Sequence, residues 1–239
     1  MSNPTAAMLV IGDEILSGRT RDSNTHHLAG ALNARGIRLM EARVVADEPE
    51  AIIQAVNALR AEWDHVFTSG GIGPTHDDIT AEAIAAAFGV AITHRADAMA
   101  LLQAHYDRAG VEFNAARQRM ARIPDGAVLI DNPVSVAPGF SLGNVHVMAG
   151  VPNIFEAMVA GVLQGIAGGA PLLSQSLRVN RGEGEVAGPF ADLAADFPDL
   201  SMGSYPFTQN GAFGTNLVIR GTDPARLSAA MLRLQALFG

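Results

Sequence analysis

"SGGIGPTHDD", Ser69 to Asp78, begins where the apolar run "DHVFTSG" (64–70) ends and decides how the first two-thirds of the chain is read. Glycines at 70, 71 and 73 leave the backbone unobstructed, Pro74 stiffens the turn, and Asp77 and Asp78 stand just ahead of a helical pattern that begins at Ile79. A strand that ends in a glycine turn and restarts as a helix is the joint of a parallel βαβ unit. Ligands of such sheets bind beyond the carboxyl ends of the strands. Bare amides and the positive end of a helix suit a phosphate there, and carboxylates suit the hard cation that accompanies it. Acids in a first helical turn are also favoured by the helix dipole alone. Spacing by itself therefore leaves both readings of Asp77 and Asp78 open.

Working outward, "AAMLVI" (6–11) reads as a buried first strand and "SNTHHLAGALNARG" as a helix that Asp22 or Ser23 can cap, with Leu28, Ala31 and Leu32 on one face. "IRLMEARVVA" makes a second strand. Pro49 opens a helix carrying Ile52, Ile53, Val56 and Leu59, which returns the chain to the third strand. Helical pattern then occupies 79–88 and roughly Asp97 to Met120. Strands follow at "AVLI" and "NVHVMA", separated by the loop "NPVSVAPGF", and "GVPNIFEAMVAGVLQGI" repeats the turn-to-helix device. Beyond about Gly168 the texture changes to a strand at "SLRVN", a helix through "FADLAADF", strands at "LSMGSY" and "TNLVIR", and a helix from Asp223. These divide the chain into an α/β domain, residues 1–169, and a small α+β unit, residues 170–239.

Composition narrows the chemistry. At 239 residues with 49% hydrophobic and 17% charged side chains, the chain folds and carries no disordered tract. Its net charge of −8 argues against a broad grip on nucleic-acid backbone, so no nucleic-acid partner is expected, although a small anionic ligand held locally is compatible with it. Every basic residue is arginine and there is no cysteine, which removes Schiff-base and P-loop lysines, thiol nucleophiles and thiolate metal sites. The N-terminus shows no basic leader, and no apolar run approaches the ~20 residues of a membrane span, so the expected setting is the cytoplasm, without membrane partners.

Three loops should share one edge of the sheet: "GDEILSG" after the first strand, "SGGIGPTHDD" after the third, and the "PGF" to "AGVP" region. Asp13, Glu14, Asp77 and Asp78 offer oxygen ligands to Mg²⁺ or Mn²⁺. Gly182, Gly184 and Ala187 imitate a dinucleotide fingerprint, but Glu183 and Glu185 would oppose a pyrophosphate. His26 and His27 point about 100° apart on their helix and do not converge on one metal. His76 lies inside the acidic loop. Asn114, Arg117 and Arg119 form a polar and basic cluster where arginine could clamp a phosphate, with helix-surface charge the alternative. Trp63 and the phenylalanines occupy apolar positions that suit a core better than base stacking.

"GDEILSGRTRDSN", "SGGIGPTHDDIT", "FNAARQRMARIP" and "NPVSVAPGF…AGVP" occur in the order seen in the N-terminal domain of the CinA competence/damage-inducible proteins, and the chain resembles that family from about Ala6 to Gly165. That domain has the MoaB/Mog molybdopterin-binding fold and is similar to the corresponding domain of eukaryotic FAD synthases. The resemblance implies a three-layer α/β domain with a mostly parallel central sheet, followed by the small α+β unit that also follows in CinA proteins. It implies as ligand molybdopterin or a nucleotide pyrophosphate such as ADP-ribose or FAD, hydrolysed with Mg²⁺, Mn²⁺ or Co²⁺. Position by position, Gly70, Gly71, Gly73 and Thr75 would contact phosphate, with Asn24, Gly150 and Pro152 completing the ligand site. Asp77 and Asp78 would be catalytic, and Asp13, Glu14 and Asp77 would hold metal. The family's usual lysine ahead of the paired acids is His76 here, and the amidohydrolase domain of longer members is not in this sequence. The reading is a metal-dependent pyrophosphohydrolase, with a non-catalytic molybdopterin-binding module and a nucleotidyl transferase acting on the pterin as alternatives. A homo-oligomer is expected, although the stripe Leu227, Met231, Leu234 and Leu237 also suits packing within its own unit.

Overall fold

A computed structural model describes residues 3–209 and 211–239. The chain forms two compact units, Met1–Gly169 and Ala170–Gly239. In the first, β1 (Thr5–Ile11), α1 (Asp13–Leu16), α2 (Asn24–Ala34), β2 (Arg38–Val45), α3 (Pro49–Glu62), β3 (His65–Ser69) and α4 (Thr80–Phe88) follow in order. Then come β4 (Ile92–His94), α5 (Ala96–Ala109), α6 (Ala115–Gln118), β5 (Arg122–Pro124), β6 (Val128–Ile130), β7 (Gly139–Leu142), β8 (Val145–Met148) and α7 (Pro152–Gln164).

The main sheet has the order β2-β1-β3-β8-β7-β6. β2, β1, β3 and β8 run parallel, while β7 is antiparallel to both β8 and β6. Alternation along β1 explains the layers. Ala7, Leu9 and Ile11 face α3, α4 and α5 through Ile52, Leu59, Ile84 and Leu102. Ala6, Met8 and Val10 face α2 and α7 through Leu28, Leu32, Phe155 and Met158. A strand covered on both sides reads as an unbroken apolar run, as this one does. Each of the larger buried side chains among these, Leu, Ile, Met, Val and Phe, contributes about 1.5–3 kcal/mol of transfer free energy. This is the expected three-layer α/β arrangement with a mostly parallel central sheet.

Two local expectations are corrected. The helical pattern from Asp97 to Met120 does not form one element: Gly110 turns into the left-handed region at φ 64°, ends α5, and the chain re-enters a short helix only after Asn114 caps it by accepting from the Arg117 amide. The loop between "AVLI" and "NVHVMA" is also shorter than read, because Gly139 and Phe140 begin β7. Gly139 lies against the neighbouring strand so closely that a Cβ would meet the Val147 carbonyl oxygen at 2.3 Å.

The second unit contains β9 (Leu173–Val179), α8 (Glu183–Asp196), β10 (Ser201–Gln209), β11 (Ala212–Gly221) and α9 (Pro224–Phe238). Its sheet is antiparallel in the order β10-β11-β9. Leu227, Met231 and Leu234 of α9 are buried in this unit's own core with Leu217 and Ile219, leaving Leu237 of the expected stripe exposed. Among the described residues no helix is long and apolar enough to cross a membrane.

Candidate functional site

The parallel strands end at one edge, and their loops enclose a cavity of about 490 Å³. Ile11, Gly12, Glu14 and Thr20 reach it from β1, Asp47 from β2, and Gly70, Gly71, Ile72, Gly73, Asp77 and Asp78 from β3. Asn132, Ser135 and Ala137 come from the β6–β7 loop, and Ala149 to Pro152 with Ile154 from the start of α7. Buried Thr80 locks the glycine turn: its hydroxyl donates to the Gly70 carbonyl at 3.0 Å and its amide to the Gly71 carbonyl at 3.0 Å. Gly70 sits at φ 108°, where a Cβ would lie 2.2 Å from the Ile11 carbonyl oxygen. Glycine is therefore required for the first and third loops to meet.

Among the described residues the amides of Gly71, Ile72 and Gly73 have no protein acceptor. The same cavity is lined by the carboxylates of Glu14, Asp47, Asp77 and Asp78, the last folded back against Gly73, and among the described residues no arginine or histidine lines it. Burial pushes the Asp47 carboxyl up; the hydrogen bond from the Asp13 amide, at 2.9 Å, opposes this, and the charges of Asp13, Glu14 and Asp77 reinforce it. Asp78 is fixed by the Thr75 amide at 2.8 Å and the Thr75 hydroxyl at 2.5 Å. The same hydroxyl, with Asp77's own amide and His76, holds the Asp77 carboxyl below its ordinary range.

The structure sorts the expected residues. Gly70, Gly71, Gly73, Gly150, Pro152, Glu14, Asp77 and Asp78 line the cavity. Thr75 does not, because its polar groups brace Asp78. Asn24 is buried behind the wall, donating through Nδ2 to Ser69 Oγ at 2.7 Å and to the Gly150 carbonyl at 2.8 Å, and so ties α2 to the two outer loops. Asp13 is exposed, outside the lining, and takes part through its amide. The His76 side chain is 99% exposed. Arg119 donates to the Asp78 carbonyl at 3.2 Å and approaches Glu82, whereas Arg117 packs on the Tyr106 ring and donates to the Glu112 carbonyl. Asn132 and Ser135 went unread, and so did Asp47, whose place just ahead of the Pro49 helix is also where an ordinary capping acid stands.

Among the described residues no three His, Asp or Glu side chains form a ready-made metal cage. The site still fits Mg²⁺ or Mn²⁺, because such ions keep water and take one or two carboxylates together with substrate phosphates. Four carboxylates lining one cavity would otherwise repel an anion and one another. The donor set suits a cation that arrives with the ligand, not one built into the fold.

A family model described as "Probable molybdopterin binding domain" matches residues 7–172, and one described as "FAD synthase, middle domain" matches residues 171–239. A "Probable FAD synthase" of Caenorhabditis briggsae is 31% identical over 98% of this chain and 49% of that protein. A CinA-like protein of Salinibacter ruber is 32% identical over 96% of this chain and 57% of its own length. The chain thus spans about half the length of these curated relatives. The crystal structure of the protein CinA of Thermoplasma acidophilum, titled as of unknown function, is 31% identical, covers 69% of this chain and 99% of its own, and superposes with a TM-score of 0.63. On the ordered loops, the sheet and these matches, the chain belongs to the molybdopterin-binding domain family, as a CinA-like member with the MoaB/Mog-like fold.

Proposed function

We propose that the cavity binds a pyrophosphate-containing nucleotide or pterin together with a divalent cation and hydrolyses the phosphoanhydride. The observation that carries this reading is that unpartnered Gly71–Gly73 amides and four carboxylates line one cavity that, among the described residues, no cationic side chain lines. The amides and the start of α7 receive phosphate oxygens. One or two of Glu14, Asp47 and Asp77, together with the ligand's phosphates, would hold Mg²⁺, Mn²⁺ or Co²⁺, which would supply charge neutralisation at the phosphates. Asp77, ionised at neutral pH, accepts a hydrogen bond from the attacking water and orients it. The water oxygen forms the new bond to phosphorus, the bridging oxygen leaves with the second phosphate, and the proton passes to solvent. Ile72, Ala137 and Ile154 supply an apolar wall for a ring system.

The relatives named as FAD synthases favour a second reading, nucleotidyl transfer, and the family description favours a pterin as ligand. One experiment separates the three. Purified protein is incubated with Mg²⁺, Mn²⁺ or Co²⁺ and ADP-ribose, FAD, or ATP with molybdopterin, and the products are resolved chromatographically. Release of AMP from a dinucleotide, reduced about a hundredfold or more in Asp77→Asn, supports hydrolysis. Adenylated pterin without dinucleotide cleavage replaces hydrolysis with transfer, and tight pterin binding without any product leaves a binding module.

A further inference from the structure

The sheet of the second unit has one covered and one open face. Alternation places Leu177, Val179, Leu217 and Ile219 toward α8 and α9, in the core. The opposite side carries Arg178 on β9, Asn216 and Arg220 on β11, and Tyr205, Phe207 and Gln209 on β10. Asn216 pairs with both Arg178 and Tyr205, so these three form one row across the sheet. Among the described residues no aspartate or glutamate falls on this face, in a chain with 24 acids against 16 arginines.

The Arg178 guanidinium lies 3.6 Å over the Phe207 ring and donates to Gln209 Oε1 at 2.9 Å. Arg220 donates to the Tyr205 hydroxyl at 3.1 Å, with its guanidinium carbon 5.6 Å from that ring's centre. Among the described residues neither guanidinium meets a carboxylate, and Tyr205 is 46% exposed. Phe207 thus departs from the expectation that the phenylalanines belong to the core.

Positive charge without counter-charge, set beside aromatic rings on an acidic protein, selects an anionic aromatic ligand. The device is also repeated: two ring–guanidinium pairs stand two residues apart on β10, about 7 Å. A single nucleotide engages one pair, whereas a chain of alternating bases and phosphates engages both. A β-α-β-β-α unit with its helices on one face and, on the other, an exposed Tyr205 ring beside a half-buried Phe207 ring capped by the Arg178 guanidinium is the kind of sheet platform that stacks unpaired bases on rings and on guanidinium planes. The net charge opposes an extended grip on backbone and leaves a two-base contact intact.

We propose that the open face of β9, β10 and β11 binds single-stranded nucleic acid, stacking one base on Tyr205 and the next on the Arg178 guanidinium that Phe207 supports, with Arg220 meeting phosphate. The test is fluorescence anisotropy of the full chain with a short labelled oligouridylate at low salt. Saturable binding is expected, weakened about tenfold in Tyr205→Ala and again in Phe207→Ala. The double variant Arg178→Gln with Arg220→Gln should lower the salt dependence, and Asp77→Asn should bind as wild type. Phe207→Leu keeps apolar bulk without a π face and should also bind weakly, so a misfolded alanine variant, recognised by circular dichroism, does not decide the matter. The proposal is overturned if no saturable binding occurs, or if folded ring variants bind as wild type. It is equally overturned if AMP or a duplex of the same length binds as tightly, or if the face proves to be a dimer contact, with the ring variants shifting a dimer to monomer in light scattering and leaving the anisotropy unchanged.

Discussion

The main sheet carries a polar cluster at each end, built in opposite ways. At the carboxyl ends of the parallel strands, carboxylates crowd one another and backbone amides have no protein acceptor. At the other end, Ser141 Oγ lies 2.8 Å from His146 Nδ1, and His146 Nε2 lies 3.4 Å from His65 Nδ1, beside the Phe67 ring. His146 is 8% exposed, and burial, with His65 adding, lowers its pKa to about 4. One cluster leaves polar capacity unused and suits a ligand. The other joins its side chains to one another in a chain from Ser141 through His146 to His65.

The largest effect that would sharpen this contrast comes from Gly70→Ala. A Cβ there meets the Ile11 carbonyl oxygen at 2.2 Å while the backbone stays at φ 108°. Strain and overpacking together should cost about 4 kcal/mol, visible as a fall in urea midpoint and a loss of nucleotide binding in calorimetry. Asp77→Asn should separate the two properties. Asp77 is 66% exposed, so its thermal midpoint should stay near that of wild type while turnover falls about a hundredfold. An equal loss of stability would place Asp77 with the structural cluster and break the comparison.

How much of this was open to a reader of the sequence follows from the same physics. The β1 run, the glycine turn and the starts of α3 and α7 were legible because each is written in local chemistry: a strand buried on both faces, and proline in a first helical turn. Asp47 was not, since it enters the cavity through tertiary position and its neighbours Glu48, Pro49 and Glu50 already account for an acid there. The resemblance implies a phosphate contact for Thr75, but its bonds to Asp78 show only in three dimensions. The break at Gly110 and the three-residue strands β4 and β5 escaped because apolar spacing continues through the break and such strands are too short to show a period.

The histidine end makes its own prediction. The folded pKa of His146, about 4, lies below the ordinary value of 6.5, so the unfolded chain binds more protons between these values. The contribution is whole above about pH 6.5 and is lost as pH falls toward 4. Between neutrality and pH 4.5 this one residue should cost roughly 2–3 kcal/mol. Urea unfolding of wild type and His146→Gln at both pH values tests it: the glutamine variant should lose distinctly less stability on acidification. Parallel losses would mean that another group governs acid unfolding.

The smallest effect concerns a residue that breaks the contrast within the cavity wall. Val136 is the one non-glycine among the described residues with positive φ, 69°, a conformation unfavourable for a β-branched side chain. It is held there by Asn132, whose carbonyl accepts the Val136 amide at 3.0 Å and whose side-chain amide reaches Ser135 Oγ at 2.7 Å and the Ala137 carbonyl at 2.8 Å. Ser135 and Ala137, on either side of the strained residue, line the cavity. Strain at a ligand-lining loop that its neighbours over-determine is the reverse of the relaxed histidine end. Val136→Gly should therefore raise stability by about 1 kcal/mol, the relief of strain exceeding the added chain entropy, while a looser wall weakens nucleotide binding about threefold. A variant that is more stable and binds as well as wild type would show that the strain is incidental to the site, and the difference between the two ends would then rest on their charges alone.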